Sequence, residues 1–122
     1  MARILVIDDS PTETYRFREI LQRNGHDVLE AANGADGISV ARAELPDLIL
    51  MDVVMPGING FQATRQLTRG AETKHIPIVI VSTKDQETDR VWGKRQGARD
   101  YLTKPIEETS LIRVIHQLLS AV

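Results

Sequence analysis

The sequence predicts an α/β fold, a doubly wound five-stranded parallel sheet with helices on both faces, and three observations predict it. Three short unbroken apolar runs, Ile4 to Ile7, Leu48 to Met51 and Ile78 to Val81, have the pattern of strands buried on both faces. Helical stretches separate them, and this alternation of strand and helix is the signature of βαβ units. Two mixed segments, Asp27 to Ala31 and Arg99 to Thr103, suit the sheet edges. With the apolar runs central, the strand order 2-1-3-4-5 follows, one of the two common doubly wound orders.

Each helix has its own signals. Ser10-Pro11-Thr12-Glu13 reads as a capping box with proline at the first helical position, Phe17, Ile20 and Leu21 form an apolar face, and Gly25 stops the helix. Ile38, Ala41 and Leu45 predict the second helical face, closed by Pro46, and Phe61, Thr64 and Leu67 the third. Asp85 to Gln96 has only Val91 and Trp92 as large apolar residues, so this helix is expected to pack weakly and to be able to shift. The last helix is strongly amphipathic, with Leu111, Val114, Ile115, Leu118 and Leu119 at three- and four-residue spacings.

The chain has 122 residues, 42% of them hydrophobic and 26% charged, which suits one globular domain spanning 1–122. Fifteen basic against seventeen acidic side chains give a net charge of −2, which argues against non-specific nucleic-acid binding by the whole surface. Cysteine is absent, so disulfides and thiolate metal sites are excluded and a reducing, cytoplasmic setting is expected. The apolar run after Arg3 is too short for a signal peptide or a membrane span, so no membrane association is expected.

In a parallel sheet the carboxyl ends of all strands fall on one edge. The first run ends in Asp8-Asp9, the third strand in Asp52, the fourth in Ser82-Thr83, and the fifth approaches Lys104-Pro105. Three converging carboxylates must either raise their pKa values or hold a cation, and hard oxygen donors suit Mg²⁺. One Asp-Asp pair is an ordinary turn feature. An acidic pair, a lone aspartate, a hydroxyl and a lysine at successive strand ends indicate a site. The first turn has acids where nucleotide-binding turns have glycines, which disfavours a nucleotide cofactor.

Four segments, VIDDS at 6–10, LILMDVVMPGINGF at 48–61, IPIVIVST at 76–83 and GARDYLTKP at 97–105, resemble the receiver domains of bacterial two-component response regulators, the chemotaxis-regulator-like family with a flavodoxin-like fold. The resemblance implies that Asp52 accepts a phosphoryl group from the phosphohistidine of a sensor histidine kinase or histidine phosphotransfer domain. It implies that Asp9, Asp52 and the Val54 carbonyl bind Mg²⁺ directly, while Asp8 acts through water. Ser82 matches the switch hydroxyl, Lys104 the phosphate-binding lysine, Tyr101 the aromatic switch and Lys104-Pro105 the family's cis peptide. The backbone N–H groups of Val53 and Thr83 would complete the phosphate cradle. Inward rotation of Tyr101 would follow movement of Ser82. Val54 and Lys84 occupy positions that tune phosphoryl loss in the family.

The expected output is docking to another protein, or a phosphate-sink role, because the last helix leaves no space before Val122 for an output domain. The family's usual docking face lies on the fourth helix, fifth strand and fifth helix. A monomer or a weak phosphorylation-dependent dimer is expected. The stretches FQATRQLTRGAETKHIP and STKDQETDRVWGKRQGARDYLTKP further resemble regulators of type IV pilus twitching motility in chemotaxis-like systems. The rival reading, an aspartyl-phosphate phosphohydrolase, needs an acid two residues after its nucleophile, where this chain has Val54. A DNA-binding module is opposed by the charge balance and by the lack of a recognition-helix pair. Trp92 is equally consistent with a core anchor or an exposed partner-binding ring. Tyr101 also suits an ordinary half-buried strand residue. His26, His75 and His116 are expected at the surface, and Glu107-Glu108 to complement the last helix's dipole.

Overall fold

A computed structural model describes residues 2–120; of the expected domain span, Met1, Ala121 and Val122 lie outside the described residues. The elements alternate: β1 (Arg3–Ile7), α1 (Pro11–Arg23), β2 (Asp27–Ala31), α2 (Gly34–Glu44), β3 (Leu48–Met51), α3 (Gly60–Arg69), β4 (Ile78–Ser82), α4 (Glu87–Arg95), β5 (Asp100–Thr103) and α5 (Glu108–Ser120). All strand pairs are parallel and the order is β2-β1-β3-β4-β5, as the sequence predicts.

The period-two alternation of strand side chains divides the core into two layers. Ile4, Val6, Leu48, Leu50, Val79 and Val81 face α1 and α5, where Phe17, Ile20, Leu21, Leu111, Val114 and Ile115 meet them. Leu5, Ile7, Ile49, Met51, Ile78 and Ile80 face the other way, onto Ile38, Ala41, Phe61, Ala63 and Leu67. Burial of both faces is the reason these runs are unbroken.

The structure corrects three expectations. Leu45 does not extend the apolar face of α2. It is the helix C-cap in the left-handed conformation, at φ 47°, and its side chain is 49% exposed. His26 is not a surface residue. It is 7% exposed, and its Nδ1 accepts the Ala2 N–H at 3.3 Å, whereas His75 and His116 are exposed as expected. The capping box at Ser10 forms only by half. Ser10 Oγ accepts the Glu13 N–H at 3.3 Å, but the Ser10 N–H donates to Asp8 Oδ1 at 2.9 Å. An acid at the end of β1 takes the place that Glu13 fills in a reciprocal box.

Candidate functional site

The register of the sheet builds the site. Ile7 pairs with Met51, so the residues that follow them, Asp8 and Asp52, stand level at the carboxyl edge. The Asp52 N–H donates to the Ile7 carbonyl at 2.9 Å and fixes that alignment. Ser82 pairs with Thr103, which brings Lys104 in from β5, and the Lys104 N–H donates to the Ser82 carbonyl at 2.9 Å. The peptide bond Lys104-Pro105 is cis, as the resemblance implies.

Carboxylate oxygens of Asp8, Asp9 and Asp52 all lie within 4.8 Å of one another. Asp8 and Asp52 are buried and Asp9 is exposed. Lys104 Nζ donates to Asp8 Oδ2 at 2.8 Å and stands 3.7 Å from both Asp52 Oδ1 and Glu13 Oε1. One ammonium among these acids leaves negative charge in excess. Burial, then the charge of Asp8, pushes the Asp52 carboxyl up to about 6, against the smaller opposing pull of Lys104. For Lys104, burial alone would favour the neutral amine, but the Asp8 hydrogen bond and the charges of Asp52, Asp8 and Glu13 outweigh it and raise the pKa. The donor set is hard oxygen, clustered, partly buried and short of positive charge, so the residues present fit a small divalent cation.

The other expected residues fall on the same edge in different relations to the acids. The Val53 N–H donates to Asp52 Oδ1 at 2.9 Å. Ser82 is fully buried, and its Oγ accepts the Lys84 N–H at 3.2 Å. Val54 and Thr83 are exposed in the flanking loops, without a side-chain hydrogen bond among the described residues. Tyr101 is already turned inward, at 2% exposure, and its hydroxyl donates to the Lys84 carbonyl at 2.6 Å. The half-buried reading of this residue is therefore set aside. Trp92 is 48% exposed, which decides its two readings for the surface.

Three contributors escaped the sequence reading. Glu13, whose spacing from Ser10 marks it as part of a cap, faces Lys104. The Lys84 backbone is held at its N–H by Ser82 and at its carbonyl by Tyr101, and backbone roles leave no side-chain signal. Gly60 starts α3 directly against the Asp52 peptide: a Cβ there would lie 2.0 Å from the Asp52 carbonyl oxygen. The glycine stood within the quoted segment ending in Phe61, but its close approach depends on how α3 meets the sheet.

Residues 4–116 match the family described as the response regulator receiver domain. The chain belongs to that family. It is 64% identical over 120 residues to PilH of Pseudomonas aeruginosa, covering 98% of this chain and 99% of that protein. The fold superposes on a chemotaxis response regulator of Vibrio cholerae with a TM-score of 0.90 at 29% identity, covering 97% of this chain and 98% of that one. It also superposes on the receiver domain of a sensor histidine kinase from Pseudomonas aeruginosa with a TM-score of 0.91 at 27% identity, covering 98% of each. That crystal structure has a magnesium ion coordinated in its active-site cleft. In this receiver domain the described helices include none long and apolar enough to cross a membrane.

Proposed function

We propose that this receiver domain accepts a phosphoryl group on Asp52 from a histidine kinase or a histidine phosphotransfer domain, and that its output is a change in protein–protein contacts. The observation that carries the reading is the placement of Asp52 at the carboxyl end of the central strand, between two further acids and the Lys104 ammonium. An Asp52 carboxylate oxygen attacks phosphorus, a P–O bond forms as the P–N bond to the donor imidazole breaks, and the leaving imidazole keeps that electron pair. Lys104 is placed to balance charge on the phosphoryl oxygens, and the Val53 and Thr83 N–H groups to orient them. A Mg²⁺ ion held by Asp9, Asp52 and the Val54 carbonyl, with Asp8 acting through water, would supply Lewis-acid charge neutralisation. No side chain two residues beyond Asp52 offers an acid to a leaving group, which favours a switch over a phosphohydrolase.

The likeness to PilH over nearly the whole of both chains supports a place in chemotaxis-like control of type IV pilus twitching motility, in the cytoplasm. The second reading, a phosphate sink or adaptor for another two-component pathway, has the same chemistry and a different partner. Incubation with a small phosphodonor and Mg²⁺ should attach one phosphate, labile to base or hydroxylamine. Full labelling of Asp52→Ala would move the acceptor elsewhere and end the assignment.

A further inference from the structure

Outside the acidic site, the surface feature with the least internal explanation is the seam between α3 and α4. The two helices are tied by Thr68 Oγ1, which donates to the Gln96 carbonyl at 2.8 Å. Trp92 lies one turn before Gln96, and residues four apart share a helix flank. It therefore stands on the α3 side of α4. Arg90 is two residues, about 200°, away and lies over the Tyr101 ring at 5.4 Å, on the opposite flank. Trp92 thus looks away from the face that carries Tyr101. On α3, Arg65 and Arg69 are spaced four apart in one exposed row beside Thr68, whose hydroxyl also approaches the Arg65 carbonyl at 3.2 Å.

Arg95, exposed and three residues after Trp92, lies on the same flank of α4, and among the described residues the arginines of this seam have no ion-pair partner. The ion pairs among the described residues use Arg3, Arg18, Arg23, Lys84 and Lys104, and none uses Arg65, Arg69 or Arg95. The acids of α4, Glu87 and Asp89, stand in its first turn, and Asp89 is engaged by Lys84 and the Gln86 N–H. Val91 next to Trp92 is also exposed. An exposed indole flanked by free guanidinium groups has the composition of an interface centre, where tryptophan and arginine carry much of the binding energy.

We propose that the α3–α4 seam docks an acidic segment of a partner protein, with Trp92 packing on an apolar side chain and Arg65, Arg69 and Arg95 pairing with its carboxylates. Charge complementarity selects the partner class. A protein of net charge −2 with a local cluster of unpaired arginines suits a carboxylate-rich peptide better than a long phosphate backbone. The seam is separate from Asp52 and its neighbours, so the proposal stands apart from the phosphoacceptor reading.

The test uses the whole chain and fluorescence anisotropy of a labelled twelve-residue peptide that alternates glutamate pairs with single leucines. Binding is expected, with the affinity falling about tenfold or more in Arg65→Glu/Arg69→Glu and in Trp92→Ala, and falling with added salt. A peptide with lysine in place of glutamate is expected not to bind. Thermal midpoints of both variants should stay near the wild type, since the altered side chains are exposed. Unchanged affinity in the variants, no binding up to about 1 mM peptide, or preferential binding of a single-stranded oligonucleotide or of phosphatidylglycerol vesicles would each overturn the proposal. Phosphodonor labelling of Arg65→Glu/Arg69→Glu, expected to match the wild type, separates this result from any failure of the Asp52 assignment.

Discussion

Strand β3 buries Leu48, Ile49, Leu50 and Met51 between two helical layers and delivers Asp52, whereas helix α4 buries a glycine and turns Val91 and Trp92 to solvent. The strand has large apolar area on both faces, and that packing can hold crowded charges in place at its end. The helix has little apolar area to lose, so its position rests on a few specific contacts: Gly93 against Ile80 and the Tyr101 ring, Thr68 on Gln96, and Arg90 on Tyr101. The domain concentrates stability where its charges crowd and leaves the element beside them weakly bound. A small change at one end then suffices to move the other.

The largest expected effect tests the strand side of that contrast. Leu50→Ala removes a fully buried side chain from the centre of the sheet and should cost about 3 kcal/mol in urea unfolding. Val91→Ala on α4 should stay within about 0.5 kcal/mol, because its side chain is exposed. Comparable losses at both positions would abolish the contrast.

The acid end should show a penalty that the strand supports. The Asp52 carboxyl is raised from 3.8 to about 6, so above that pH its ionised form opposes folding. Asp52→Asn should therefore stabilise the metal-free protein by about 2 kcal/mol at pH 7. The sign reverses the usual carboxylate case. Between about pH 6 and 4 the folded protein binds a proton that the unfolded chain does not, so the wild type gains stability as pH falls and the difference closes. Urea titrations in chelator at several pH values measure it. A constant difference, or a less stable Asn variant at pH 7, would contradict the charge crowding.

Much of this architecture is legible in the sequence for a physical reason. Strands buried on both faces must be apolar throughout, so β1, β3 and β4 stand out, and parallel topology then sends their ends to one edge. The sequence pattern alone therefore brings Asp8, Asp9, Asp52 and Lys104 to one edge. What stayed hidden depends on contacts made at right angles to the strand direction. Leu45 fits the helical spacing of α2 but falls where the chain turns left-handed, and His26 has a surface residue's composition yet lies under Ala2. Lys84 acts through its backbone N–H and carbonyl, which leave no mark on the choice of side chain. For Trp92 the sequence is equally consistent with burial and exposure, because the rotation of α4 about its own axis decides between them.

The next effect in size lies on the helix side. A Cβ on residue 93 would come within 2.9 Å of Ile80 Cδ1 and 3.1 Å of the Tyr101 ring. Alanine gains about 1 kcal/mol of helix propensity over glycine, while overpacking costs about 1–3 kcal/mol. Gly93→Ala is therefore expected to lose about 1 kcal/mol net, and Tyr101 is expected to leave its inward position, breaking its bond to the Lys84 carbonyl. Urea unfolding gives the first quantity and tyrosine side-chain NMR the second. A stabilised variant with Tyr101 unmoved would mean that α4 has spare room and sits more loosely than its contacts indicate.

The smallest expected effect asks whether the two regions communicate. The Ser82 hydroxyl accepts the Lys84 N–H, and the Tyr101 hydroxyl donates to the Lys84 carbonyl, so the backbone of one residue joins the end of β4 to the turn before α4. If the Ser82 hydroxyl turns toward a group carried on Asp52, the Lys84 N–H loses its acceptor and the start of α4 loses one of its few restraints. Addition of Mg²⁺ with beryllofluoride, a phosphoryl mimic, should then speed amide exchange at residues 90–96 several-fold, equivalent to about 1 kcal/mol of opening free energy. Exchange in α5, anchored by Leu111, Val114 and Ile115, should change far less. Ser82→Ala lacks the hydroxyl in both states, so its α4 amides should exchange faster from the outset and respond little to the mimic. Equal protection of residues 90–96 with and without the mimic in the wild type would show that the acid end and α4 are uncoupled, and the signal would then have to leave through another face.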